Sequence, residues 1–238
     1  MDDTRHRIWW CPTGALTFLP IHAAGIYSGN GQDCLANYAV SSYTPTLTAL
    51  LHAREHDDRH PVVEPGRVLV IAQPNVAGLP TLPMTCMEAD VIESLLPQGS
   101  LLRLGNFHPE NRGDNVTVQG VLDVLPWATV LHLACHGDQV QNDPLASGFD
   151  LMDGRLAVSQ LMRLSLPRAQ LAYLSACESA GADRELPDET LNLAATMLFM
   201  GFKSVIGTMW KVLACITCVN TTLTQLKIGR WTMLMDLS

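Results

Sequence analysis

Apolar residues along this chain come in short, nearly continuous runs that alternate with segments spaced like one face of a helix. Arg67–Ala72 (RVLVIA) reads as a strand, and a loop with Pro74, Gly78, Pro80 and Pro83 follows it. Residues 84–96 then place Met84, Met87, Val91, Ile92 and Leu95 at helical spacing, and Pro97 and Gly99 stop the helix. The unit repeats in kind, though not in sequence. A helix is predicted over Val116–Leu125 with a strand at Ala128–Ala134 (ATVLHLA), then a helix around Ser159–Leu164 with a strand at Gln170–Ala176 (QLAYLSA). A last helix spans Thr190–Met200, opened by Asp188 or Glu189 and closed by Gly201, and Ser204–Trp210 is the final strand. Strands apolar almost throughout, alternating with helices, predict a parallel sheet covered on both faces, an α/β fold of three layers. The pair Asp153-Gly154 suits a tight hairpin inserted between two units. Upstream, RIWW and ALTF look like strands of a hairpin around Pro12–Gly14, and Pro45–Arg54 looks helical.

The 238 residues are treated as one domain, residues 1–212, with an atypical tail at 213–238. Charged residues make up only 16% of the chain, against about 25% in an ordinary soluble domain, so some surface is expected to want a partner. The formal charge of −8 and the absence of a basic stripe argue against nucleic acid, because phosphate contacts need clustered Lys and Arg. The densest basic run, Arg54 to Arg59, is interleaved with Glu55, Asp57 and Asp58. The longest apolar stretch, Leu191–Phe202, is followed by Lys203 and falls short of the roughly 20 residues that span a bilayer. Seven cysteines, an odd number, behind a charged start without an apolar leader, predict a reducing, cytoplasmic setting with free thiols.

In an open α/β sheet, ligands sit beyond the carboxyl ends of the strands. Two such ends carry reactive side chains: VLHLAC runs into His136-Gly137, and LAYLSA runs into Cys177-Glu178. The separation of 41 positions from His136 to Cys177 allows a crossover that returns a parallel strand beside the first. A thiol with a free pKa of about 8.5 needs a base within hydrogen-bond reach, and an imidazole can also return the proton to a leaving amine. Gly137 lets backbone approach closely, and its N–H could join that of Cys177 as oxyanion donors. The competing reading is that Cys177 is a packed structural thiol, as Cys135 is expected to be. Metal binding is not expected. His132 and His136 lack the Glu of H-E-x-x-H and would lie roughly 13 Å apart on a strand. Cys215 and Cys218 lack a second pair of ligands. No phosphate-cradling glycine motif occurs, so a nucleotide-binding sheet protein is the least favoured class and no cofactor is implied.

LHLACHG, the insertion NDPLASGFDLMDGRLAVSQL and the segment LAYLSACESAGADRELPDETLNLAATMLFMGFKSVIGTMWKV together resemble the CHAT domain, a caspase-like domain found with tetratricopeptide repeats. RIWWCPTGALTFLPIHAAG and VSSYTPTLTALL are similar to its N-terminal part, particularly in fungal members, which brings coverage to roughly residues 7–212. The resemblance implies a caspase-like fold, distantly related to caspases, separase and legumain. It implies a cysteine endopeptidase mechanism acting on a protein or peptide substrate, with His136 as base, Cys177 as nucleophile, and Gly137 and Cys177 as oxyanion donors. It also implies a tetratricopeptide-repeat partner or upstream module. Glu178, Asp188 and Glu189 follow the nucleophile, with Asp183 and Glu185 among them, and would favour a basic residue before the scissile bond. The alternative role for Asp188 and Glu189 is the helix N-terminus. After Trp210-Lys211 the family pattern gives way to VLACITCVNTTLTQLKIGRWTMLMDLS, which reads as an alternative or truncated end. A catalytically silent interaction module of the same fold is the second reading of the whole chain.

Overall fold

The computed structural model describes residues 5–28, 33–51, 67–105, 116–140, 142–176, 179–180 and 192–209. Its centre is a five-stranded sheet in which every neighbouring pair is parallel. The strands are β5 (Val68–Ala72), β6 (Leu101–Leu104), β7 (Val130–Ala134), β11 (Leu171–Ser175) and β12 (Ser204–Ile206), in the spatial order β12-β11-β7-β5-β6. The helices are α1 (Met84–Leu95), α2 (Val118–Val124), α3 (Val158–Leu161) and α4 (Leu193–Met200).

Alternation along each strand divides the sheet into two faces. Val70, Ala72 and Ala134 pack with Ala89 and Ile92 of α1. Leu69, Ile71, Leu131, Leu133, Ala172 and Leu174 belong to the larger core on the other face, with Val121 of α2, Leu161 of α3 and Met197 of α4. A sheet buried on both sides is what the continuous apolar runs predict, and the α/β, three-layer architecture stands.

The chain leaves β5 toward β6 on one side, then returns to place β7 on the other side of β5. The sequence order therefore reverses between β5 and β7, and in α/β sheets ligands bind beyond the carboxyl ends of the strands at such a switch point. Immediately past β7, β8 (His136–Asp138), β9 (Gly148–Asp150) and β10 (Arg155–Ala157) form a small antiparallel sheet. The Asp153-Gly154 hairpin joins β9 to β10, with Gly154 at φ 150°. Asp153 has a second task, because its Oδ1 accepts the Val118 N–H at 2.9 Å at the start of α2.

Several boundaries differ from the sequence expectation for identifiable reasons. ALTF is a 3-10 helix within Gly14–Phe18 rather than a strand. Gly14 at φ 54° turns the chain, and Thr17 Oγ1 donates to the Gly14 carbonyl at 2.6 Å. RIWW does lie in a strand, β1 (His6–Trp10), but its partner is β4 (Ala39–Tyr43), and the pair is parallel. A two-stranded antiparallel ribbon, β2 (Gly25–Ile26) with β3 (Asp33–Cys34), lies between them in sequence. Residues 47–51 are helical, within the predicted Pro45–Arg54. Helix α4 opens at Asn192, whose side chain accepts the Ala195 N–H at 2.8 Å, and not at Asp188 or Glu189.

Gly201 ends α4 as the sequence predicts, at φ 120°. A Cβ there would also lie 2.6 Å from the Leu166 carbonyl oxygen. Strained backbone and a backbone clash act together, so Gly201→Ala is expected to destabilise the fold by about 2–4 kcal/mol. Urea titration checks this, and a loss below about 1 kcal/mol would show that the turn relaxes.

Candidate functional site

His136 is half-buried at the start of β8, where the chain leaves the carboxyl end of β7. Its Nε2 lies 2.7 Å from the carbonyl oxygen of Pro80, in the loop after β5. A carbonyl only accepts, so Nε2 carries the proton, and in the neutral ring Nδ1 is left with the lone pair. The two partners come from the two strands that flank the switch point. The sequence singles out His136 as a candidate but not Pro80, because a main-chain carbonyl leaves no trace in residue type.

The strand carrying His136 is braced from the side. His136 pairs with Asp150, and Gly137 pairs with the buried Phe149. Arg155 joins two carboxylates, with Nε donating to Asp150 at 2.8 Å and Nη1 reaching Asp138 at 3.0 Å. The Asp150 hydrogen bond, aided by both negative charges, raises the Arg155 pKa. Cys135 points into the larger core, fully buried, as its place on the alternating strand predicts. Burial first, and the Asp150 charge second, push its thiol far above the ordinary range.

Cys177, Glu178, Asp188 and Glu189 lie outside the described residues, as do Asp183, Glu185 and the tail at 213–238. What is described is the chain on either side of Cys177. On the upstream side, the Ala176 carbonyl accepts from Thr208 Oγ1 at 2.9 Å. On the downstream side, fully buried Ser179 accepts the Thr208 N–H on its Oγ at 3.0 Å and the Ala194 N–H on its carbonyl at 2.8 Å. The Ala180 N–H returns to the Thr208 carbonyl at 2.8 Å. Gly207 has to be small here, because a Cβ would lie 2.8 Å from Ser179 Oγ. Both flanks of Cys177 are thus fastened to the segment after β12.

His132, four residues before His136, is buried on the α1 face of the sheet. Its Nε2 faces Glu88 Oε2 at 3.1 Å, and its ring stacks on Tyr173 with centroids 5.0 Å apart. The contacts give His132 a place in packing and hydrogen bonding. Among the described residues, no helix is long and apolar enough to cross a membrane.

A family model described as the CHAT domain matches residues 1–218. Among curated proteins, none matches the chain.

Proposed function

We propose that this chain, which belongs to the CHAT domain family, is a cysteine endopeptidase-type domain that cleaves protein or peptide substrates with His136 and Cys177. The observation that carries this reading is the His136 Nε2 contact with the Pro80 carbonyl at the switch point, which leaves Nδ1 as the basic nitrogen. In the proposed reaction Nδ1 takes the Cys177 proton, and the thiolate adds to the scissile carbonyl. The resulting oxyanion is held by the N–H groups of Gly137 and Cys177. The imidazolium then gives its proton to the leaving amine, and water hydrolyses the thioester. Glu178, Asp188 and Glu189 would supply negative charge for a basic residue before the scissile bond. Asn192 performs the helix cap that the alternative role gave to the last two. A tetratricopeptide-repeat module is the partner this family membership suggests, and the proposed setting is cytoplasmic.

Thiol reactivity tests the reading. Brief iodoacetamide labelling at neutral pH, followed by peptide mapping, is expected to modify Cys177 well ahead of the other thiols. Cys135 should stay unlabelled, because burial suppresses its ionisation. Cleavage of a peptide library should disappear in Cys177→Ala. Uniformly slow labelling would leave a catalytically silent interaction module as the better description, and cleavage that survives Cys177→Ala would overturn the role of that thiol.

A further inference from the structure

Glu88 is a carboxylate with no exposed surface, placed on α1 against the middle of the sheet. Burying such a group is costly unless its lone pairs are used. Both oxygens are used, on different strands. Oε2 accepts from His132 Nε2 of β7 at 3.1 Å, and Oε1 accepts from Ser175 Oγ of β11 at 3.1 Å. His132 and Tyr173 are register partners across the β7–β11 pair, and their rings stack almost parallel at 18°. Ser175 is the last residue of β11. One side chain therefore ties a helix to the middle of one strand and to the carboxyl end of its neighbour.

Each tied element leads to a piece of the proposed chemistry. His136 follows His132 by four residues at the end of β7. Cys177 follows Ser175 by two residues in sequence. Pro80, whose carbonyl fixes the His136 ring, precedes Glu88 by eight residues, in the loop that enters α1. The loop's described main-chain bonds are largely internal, such as Leu82 N–H to the Pro74 carbonyl at 2.8 Å, and Gln73 N–H to the Ala134 carbonyl at 2.9 Å holds only its start. The far end of the loop is held by where α1 sits.

We propose that Glu88 is a positioning residue, whose two hydrogen bonds, accepted from His132 and Ser175, set the Pro80 loop, His136 and the end of β11 in one arrangement. This rests on the His136–Cys177 reading above. A purely structural role predicts that disturbing the bridge lowers stability alone. A positioning role predicts that the chemistry changes in protein that is still folded. Ser175→Ala removes one arm and leaves Glu88 paired with His132. Glu88→Gln keeps the shape but replaces one accepting oxygen with an N–H₂ donor, so the two arms cannot both be kept as they are.

The test measures the rate of Cys177 alkylation by iodoacetamide as a function of pH, in the parent chain, His136→Ala, Ser175→Ala and Glu88→Gln. Circular dichroism reports the folded fraction of each. The parent profile must first depend on His136; if it does not, the dyad reading fails and the positioning role falls with it. Given that dependence, Glu88→Gln is expected to slow neutral-pH labelling about tenfold and Ser175→Ala about threefold, as the thiolate fraction falls toward that of an ordinary cysteine. Folded variants with the parent rate and profile would overturn the positioning role while leaving the dyad reading intact. Loss of the fold in both variants would overturn it as well, by making the bridge an element of stability alone.

Discussion

Phe149→Ala is expected to lose about 3–5 kcal/mol of stability, among the largest costs of any single truncation in this domain. Phe149 is fully buried in the larger core and sits at the centre of β9, the middle strand of the small antiparallel sheet. Its truncation removes apolar contact and leaves a cavity, and both terms add. The residues around it cannot easily close in. Gly148 on one side lies so near β10 that a Cβ there would come within 2.3 Å of the Leu156 carbonyl oxygen, so that strand pair is already at its closest approach. For a domain of this size each kcal/mol moves the midpoint by about 2–4 °C, which puts the thermal shift at roughly 6–20 °C. Phe149→Leu, which keeps most of the volume, should cost much less. The consequence reaches the site, because Phe149 pairs across the ladder with Gly137, beside His136. Urea and thermal unfolding of the two variants check the prediction. A Phe149→Ala protein within about 1 kcal/mol of the parent would mean that this sheet contributes little to the fold.

The sheet was legible because its strands are buried on both faces, and burial of that kind selects long apolar runs. RVLVIA and QLAYLSA therefore announce themselves, and four of the five central strands follow from the sequence. The fifth, β6, is Leu101–Leu104 at the edge of the sheet, with Arg103 turned to Asp90 and Glu93 of α1. An edge strand with one charged residue in four carries too weak a pattern to be read. The N-terminal pair failed for a different reason. AVSSY is rich in serine, a residue that marks turns more often than strands, yet Ser42 is fully buried because Arg7 of β1 reaches its hydroxyl at 3.1 Å. The pairing that rescues a polar strand lies more than thirty residues away, beyond the reach of any local window.

The site divides along the same line. His136, Gly137 and Cys177 stand out because reactive residue types follow apolar strands, and the topology puts the end of β7 beside the end of β5. What was invisible is the support: a main-chain carbonyl at Pro80, a carboxylate at Glu88 inside an otherwise ordinary amphipathic helix, and Thr208, whose hydroxyl, N–H and carbonyl all serve the flanks of Cys177. None of these has a residue type that signals its task. Each acquires it only from where the chain is folded.

Replacing His136 by alanine should separate two contributions that a single assay would merge. An ordinary cysteine is about 3% thiolate at neutral pH. If His136 Nδ1 keeps Cys177 mostly ionised, its loss slows alkylation by no more than about thirtyfold, and by less because a low-pKa thiolate is intrinsically a poorer nucleophile. In the proposed reaction, peptide cleavage needs the same imidazole a second time, to protonate the leaving amine, and general acid–base assistance is worth about 10²–10⁴-fold. His136→Ala is thus expected to depress cleavage at least tenfold more than it depresses alkylation. On the proposed reading this asymmetry depends on the ring and not on the loop behind it. Pro80→Ala keeps the carbonyl that accepts from Nε2 and should have the milder effect of the two on both rates. Equal losses in alkylation and cleavage would mean that His136 only ionises the thiol. No loss in either would remove it from the mechanism and leave the Pro80 contact as a feature of packing.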